Sequence, residues 1–200
     1  MKIKSHANGI GEIFFTSDHH FGHQSVIAMC NRPFASVEEM DAAMIEQWNA
    51  VVRPRDLVWH LGDFAFRCEP ERMKKIFARL NGQKHLIRGN HDRKHVQSLA
   101  WTSIQDAAHI TVDGHRIHLS HYAHRVWPAQ YRGAIHLYGH SHGRLPGHST
   151  TMDVGVDAVG YLPLTLAHIK EKLAQLLVAP IPDNIDALDQ EQDEAADFTV

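Results

Sequence analysis

The chain has 200 residues, 44% of them hydrophobic and 22% charged, and a formal net charge of -3. This suits one soluble domain that buries about 70% of its unfolded surface, and it implies no polyanion partner. Cys30 and Cys68 are too few for a disulfide framework, MKIKSHANGIG has no apolar stretch, and no apolar run reaches about 18 residues, so a reducing cytoplasmic setting without signal peptide or membrane span is expected.

In chain order, Ile10 to Ser17 reads as a strand running into TSDHHFGH (16–23), which crowds Asp18, His19, His20 and His23 together. SVEEMDAAMIEQWNAVV opens on Ser36 with Glu39 three residues on, a capping-box pattern, and Met40, Met44, Trp48 and Val51 recur at helical spacing. DLVWHLGD (56–63) is a short apolar strand ending on Gly62 and Asp63. EPERMKKIFARLNG places Pro70 early, Met73, Ile76, Phe77 and Leu80 on one face, and Gly82 at the end, which predicts a helix. KHLIRGNHD (84–92) is another strand ending in a polar loop, and HITVDGHRIHLSH (109–121) is a hairpin turned by Asp113 and Gly114. AIHLYGHSH (134–142) repeats the strand-then-polar pattern. TTMDVGVDAVGY reads as a last strand, and a helix follows near Thr165 to Leu177.

Together these elements predict an α/β sandwich of two sheets flanked by helices, with antiparallel strands dominating the second half. One domain is expected over 1–179. The stretch 180–200 carries seven acids and no Lys or Arg, so a disordered acidic tail is expected there, leaving a mildly basic body.

Five strand ends carry polar residues of one kind: Asp18 and His20; Gly62 and Asp63; Gly89, Asn90, His91 and Asp92; His121; and Gly139, His140, Ser141 and His142. Strand ends on one sheet edge share a crevice. Aspartate, asparagine and histidine suit divalent metals such as Mn, Fe, Zn, Co or Ni. In extended backbone, residues two apart face the same way, so Asp18 with His20, and His140 with His142, are each expected to reach one site. Histidine is unusually frequent, at 18 residues, and the residues are scattered rather than contiguous.

The set D-x-H, G-D, G-N-H-D, H and G-H-x-H resembles the calcineurin-like metallophosphoesterase superfamily. The phrases DHHFGH, NRPF, WHLGDFAF and LYGHSHG, with VGVDxxxYxPxT to about residue 165, are similar to a small bacterial and phage subgroup of it. The resemblance implies two divalent cations, manganese favoured, with Asp18, His20 and His142 on one, Asn90, His121 and His140 on the other, and Asp63 bridging. It further implies a hydroxide nucleophile between the cations. His91 would be the acid or charge stabiliser over the substrate, held by Asp92. The implied activity is phosphate-ester hydrolysis, with phosphodiesters favoured and nucleotides among the candidate substrates. The second motif reads GDFAFR and the third GNHD, which argues against a Ser/Thr phosphoprotein phosphatase.

His19, His23, Arg32, Arg88 and Arg144 are candidate substrate-binding residues, since guanidinium matches phosphate in a bidentate way. Each has a plainer alternative: a hydrogen-bonding role behind the ligands for the histidines, a solvated side chain for the arginines. His60 is expected as a satisfied core histidine. Trp127 and Tyr131 are open between stacking on a substrate ring and packing under a loop. A nuclease is one alternative function, although no basic run exceeds two residues; a non-enzymatic interaction scaffold is another. No protein partner or oligomeric state is legible.

Overall fold

The computed structural model describes residues 1–7 and 11–178; the acidic stretch 180–200 lies outside them. In chain order the elements are β1 (Lys2–Ile3), β2 (Ile13–Thr16), α1 (Gln24–Met29), α2 (Val37–Val51), β3 (Leu57–His60), α3 (Pro70–Arg79), β4 (Gln83–Ile87), α4 (Lys94–Gln97), β5 (Ser103–Gln105), β6 (Ala107–Val112), β7 (His115–Ser120), β8 (Ile135–Tyr138), β9 (Thr151–Asp153), α5 (Val156–Val159), β10 (Leu164–Thr165) and α6 (Leu166–Leu173). No described helix is long and apolar enough to cross a membrane.

Among the described residues ten strands form two sheets, in the orders β10-β2-β3-β4-β5 and β1-β6-β7-β8-β9. Strand alternation divides the apolar residues between two cores. Ile13, Phe15, Leu57 and Trp59 turn toward Ile110, Ile117, Leu119 and Leu137 of the other sheet. Their neighbours Phe14, Val58 and Leu86 turn the opposite way, onto Met40, Met44 and Trp48 of α2 and Ile76 and Phe77 of α3. Helices thus cover the outside of the first sheet. The loop 121–134 lies over the second, with Trp127 buried and its indole N–H donating to the Ala134 carbonyl at 2.8 Å. For Trp127 the packing alternative holds.

Local chemistry sets the element ends. Ser36 caps α2, its hydroxyl accepting the Glu39 N–H at 3.1 Å, while Glu39 reaches back to the Ala35 N–H at 2.9 Å. Glu69 caps α3 by accepting from the N–H groups of Glu71 and Arg72, with Pro70 in the first turn. Asp113 and Gly114 both have positive φ, at 48° and 86°, as a two-residue hairpin turn requires.

The expected predominance of antiparallel strands in the second half is corrected. Among the described strands of that half, β6–β7 and β10–β2 pair antiparallel, whereas β1–β6, β7–β8 and β8–β9 are parallel. The reason is connection length: loop 121–134 gives β8 enough chain to cross over and lie parallel to β7. As a consequence β2, β3, β4, β7 and β8 all deliver their C-terminal ends to one edge of the sandwich.

Candidate metal centre

Every one of the five polar segments follows one of those strand ends. The backbone then turns abruptly: Asp18, His20, Asp63, His140 and His142 all have positive φ, between 49° and 65°. This conformation is costly for side chains other than glycine and persists where the surroundings enforce it. The paired residues therefore converge through left-handed turns, not through the extended alternation expected from sequence.

Two groups of side chains result. Donor atoms of Asp18, His20 and His142 lie within 4.8 Å of one another, and so do those of Asp63, His121 and His140. Between them sits Asp63 Oδ2, 3.5 Å from His20 Nε2 and 3.5 Å from His121 Nε2. Asp63 Oδ1 is occupied by the His91 backbone N–H at 2.8 Å, which leaves Oδ2 to face both groups. Asn90 Oδ1 approaches His121 Nε2 to 3.1 Å. His121 Nδ1 lies 2.8 Å from the Leu61 carbonyl, an acceptor only, so Nδ1 carries a proton and a cation would be held through Nε2. Asp18 Oδ2 accepts the His140 N–H at 2.9 Å.

The groups are buried at the base and open above: Asp18, His20, Asp63 and His121 are buried, whereas Asn90 and His140 are exposed and the His91 side chain is 31% exposed. Burial pushes Asp18 up to about 7 against the pull of His121 and His142. Burial likewise lowers His20 to about 2. Burial also disfavours the Asp63 anion, but His121, the His91 N–H and His20 outweigh it and hold the carboxyl at about 2. Burial opposes the His121 cation, yet Asp63 and Asp18 raise it to about 9. The cavity thus demands positive charge, and His121 supplies some of it as a proton.

Divalent cations fit this arrangement. Asp18 Oδ1 and both ring nitrogens of His20 are buried without a hydrogen-bond partner, a costly state that coordination would relieve. The oxygen and imidazole donors suit hard-to-borderline ions.

The remaining candidates go to different places. His91 stands over the two groups, its Nε2 4.0 Å from Asp63 Oδ2 and its ring centroid 4.2 Å from that of Phe66. Asp92 does not hold the His91 ring, a correction to the expectation. Its carboxylate accepts the N–H groups of Asp63, Phe64 and Gly89 at 2.8–2.9 Å and so ties the second polar loop to the third. His19 is fully buried, with Nδ1 2.9 Å from His60 Nε2, and is walled off from any substrate. His60 Nδ1 accepts the Gly62 N–H at 3.3 Å, which makes it the satisfied core histidine expected. His23 packs beside His20 and Phe66 with its Nε2 3.1 Å from Ser25 Oγ.

None of the three arginines presents a free guanidinium to the centre. Arg32 is buried on Asp157, Arg88 pairs with Asp106, and Arg144 donates to the Met29 carbonyl at 2.6 Å. Each is engaged by a carboxylate or a carbonyl of the chain itself. Sequence reasoning assigned no role to Asp157, Asp153 or Tyr122. Asp157 Oδ2 is 2.6 Å from His142 Nδ1. Asp153 accepts from Ser141 Oγ at 2.6 Å and from the Gly143 N–H at 2.9 Å, shaping the last polar loop. Tyr122 is half exposed, 4.6 Å from His140 between ring centroids. VGVD, which holds Asp157, was the available signal.

A family model described as the calcineurin-like phosphoesterase superfamily domain matches residues 12–158. The chain is 31% identical over 163 residues to the uncharacterized protein MJ1445 of Methanocaldococcus jannaschii, covering 78% of this chain and 87% of that one. It is 30% identical over 183 residues to the Gene 66 protein of Mycobacterium phage L5, covering 74% and 88%. Among solved structures, AQ665 from Aquifex aeolicus, a protein of unknown function, has a TM-score of 0.64 at 22% identity over 80% of this chain and 98% of that one, a likeness of fold.

Proposed function

The chain belongs to the calcineurin-like phosphoesterase superfamily, and on that premise we propose that it is a cytoplasmic phosphodiesterase working with two divalent cations, manganese favoured. The observation that carries this reading is the position of Asp63 Oδ2, 3.5 Å from a histidine nitrogen of each donor group. Asp18, His20 and His142 would hold one cation, Asn90, His121 and His140 the other, and Asp63 both.

When bound, such a pair supplies Lewis acidity to a water and to a phosphoryl oxygen. The chain's own residues do the rest. Asp92 keeps Asp63 and Gly89 in register through their backbone N–H groups. His91 projects from the open side, where its ring can place a proton on the departing ester oxygen or stabilise its charge. Phe66 fixes the plane of that ring. The exposed Asn90, His140 and Tyr122 leave the mouth wide, which suits a diester with substituents on both sides of phosphorus.

The test uses metal-stripped protein reloaded with Mn. Cleavage of bis-p-nitrophenyl phosphate is expected to exceed that of p-nitrophenyl phosphate and to vanish in Asp63→Asn. His91→Ala is expected to lower kcat by about 10²–10⁴-fold with metal content unchanged. Faster monoester cleavage would overturn the diester preference. Full activity in metal-free protein would overturn the metal-dependent reading altogether.

A further inference from the structure

We infer that Asp157 and Arg32 are positioning residues that set cation affinity in the Asp18–His20–His142 half of the centre. This rests on the two-metal reading above and extends it to two residues outside the ligand set.

The chain of contacts begins at His142. Its Nδ1 lies 2.6 Å from Asp157 Oδ2. A carboxylate accepts and does not donate, so Nδ1 keeps the proton and Nε2 is left with its lone pair. The tautomer is therefore chosen by a residue on α5, 15 positions downstream. Asp157 is itself held. Arg32 Nε donates to Oδ1 at 2.8 Å and Nη2 to Oδ2 at 2.7 Å, a bidentate fork. The Arg32 side chain is 0% exposed and that of Asp157 5%.

The rest of the guanidinium explains why arginine stands here. Nη2 also donates to the Asp18 carbonyl at 2.8 Å, and Nη1 to the His19 carbonyl at 2.8 Å and to Met40 Sδ at 3.4 Å. All five N–H groups are thus engaged. Asp18 and His20 lie in left-handed backbone, with φ of 59° and 53°. Arg32 grips the carbonyls of that strained turn with one side of the fork and the carboxylate behind His142 with the other. One buried cation consequently sets the spacing between ligands that come from opposite sheets. Lysine has neither the fork nor the donor count.

The experiment titrates Mn into metal-free wild type and Asp157→Asn, with metal per chain and the EPR spectrum as readouts. In wild type two ions and an exchange-coupled signal are expected. In Asp157→Asn one of the two sites should weaken by about 10–100-fold while the other keeps its affinity, giving the six-line spectrum of an isolated ion at limiting metal. Arg32→Lys should weaken the same site. Two ions bound as tightly as in wild type, with the coupled signal intact, would overturn the inference. A wild type that binds no pair of ions would instead overturn the two-metal reading, and this inference with it.

Near-UV circular dichroism of the metal-free variants checks the fold. Should neither variant fold, 15N–1H spectra of the zinc-loaded wild type decide: a proton on His142 Nδ1 supports the assignment, and one on Nε2 overturns it. Donor atoms of Cys30, His142 and Asp157 also fall within 4.8 Å of one another. A thiolate-to-cobalt charge-transfer band in cobalt-loaded wild type would show Cys30 coordinating, place an ion within the group that contains Asp157, and overturn its positioning role.

Discussion

A Cβ added at Gly139 would lie 2.1 Å from Ser17 Oγ and 2.5 Å from Asp18 Oδ2. Neither neighbour has room to retreat, because Ser17 Oγ donates to the Gly62 carbonyl and Asp18 is buried. Gly139→Ala should therefore displace the Asp18 carboxylate, costing metal at that site and lowering Tm, as metal analysis and calorimetry would register. Gly133→Ala is the contrast. Its φ is 75° but nothing lies within 4 Å of the added carbon, so only backbone strain of about 1 kcal/mol is expected, with hydrolysis unchanged. At this scale the ligand candidates were legible, because their residue types and spacings are distinctive. The supporting residues were not. Arg32 looks the same in sequence whether its partner is a substrate phosphate or Asp157, 125 positions away.

Elements follow more local rules, and these were easier to read. The Ser36 cap, the Pro70 start and the Asp113–Gly114 turn each depend on residues within four positions of one another. Ser36→Ala removes one capping acceptor and should cost about 1 kcal/mol. For a domain of this size that is a fall in Tm of about 2–4 °C, with kcat unaltered, since the Ser36 hydroxyl serves the Glu39 N–H and none of the donor residues. Strand direction was misread in the second half for the converse reason. Pairing partners are set by the path of long connections such as 121–134, and strand composition does not encode that path. The same gap hid the left-handed turns at the strand ends.

Taken whole, the molecule carries a second collection of histidines, away from the centre. His109, His118 and His136 are register partners across β6, β7 and β8. His118 lies 3.1 Å from His109 and 3.0 Å from His124, and His136 accepts the His124 N–H at 2.9 Å. Trp127 and His148 close the stack. Burial, then the neighbouring imidazoles, lowers His118 to about 4; burial lowers His136 to about 3, with His118, His124 and His148 adding to it. Tyr138 also faces His136, its own ionisation pushed up by burial to about 12.

The sign follows from linkage. Unfolded histidine takes a proton near 6.5, so acid favours the unfolded chain. Stability from this row is complete above about 6.5 and is lost as pH falls from there toward 4 and 3. Asp18, raised by burial, titrates with the opposite sign, so the informative quantity is a difference. In metal-free protein His118→Gln should show a shallower fall of Tm between pH 7 and 4 than wild type. Parallel Tm curves would argue against the row as a source of acid lability.

Both donor groups draw on both sheets, and this bears on how the protein is made. Asp18, His20, Asp63 and Asn90 precede residue 106, whereas His121, His140, His142 and the bracing Asp157 follow it. One of the two strands beside β2 is β10, near residue 164, and β1 pairs with β6 of the sheet whose other strands come from the second half of the chain. A nascent chain on the ribosome therefore cannot bring either donor group together until His140 and His142 have emerged. On the two-metal reading proposed above, hydrolytic competence would arrive late, and a product cut short by a premature stop would carry donor residues that never converge.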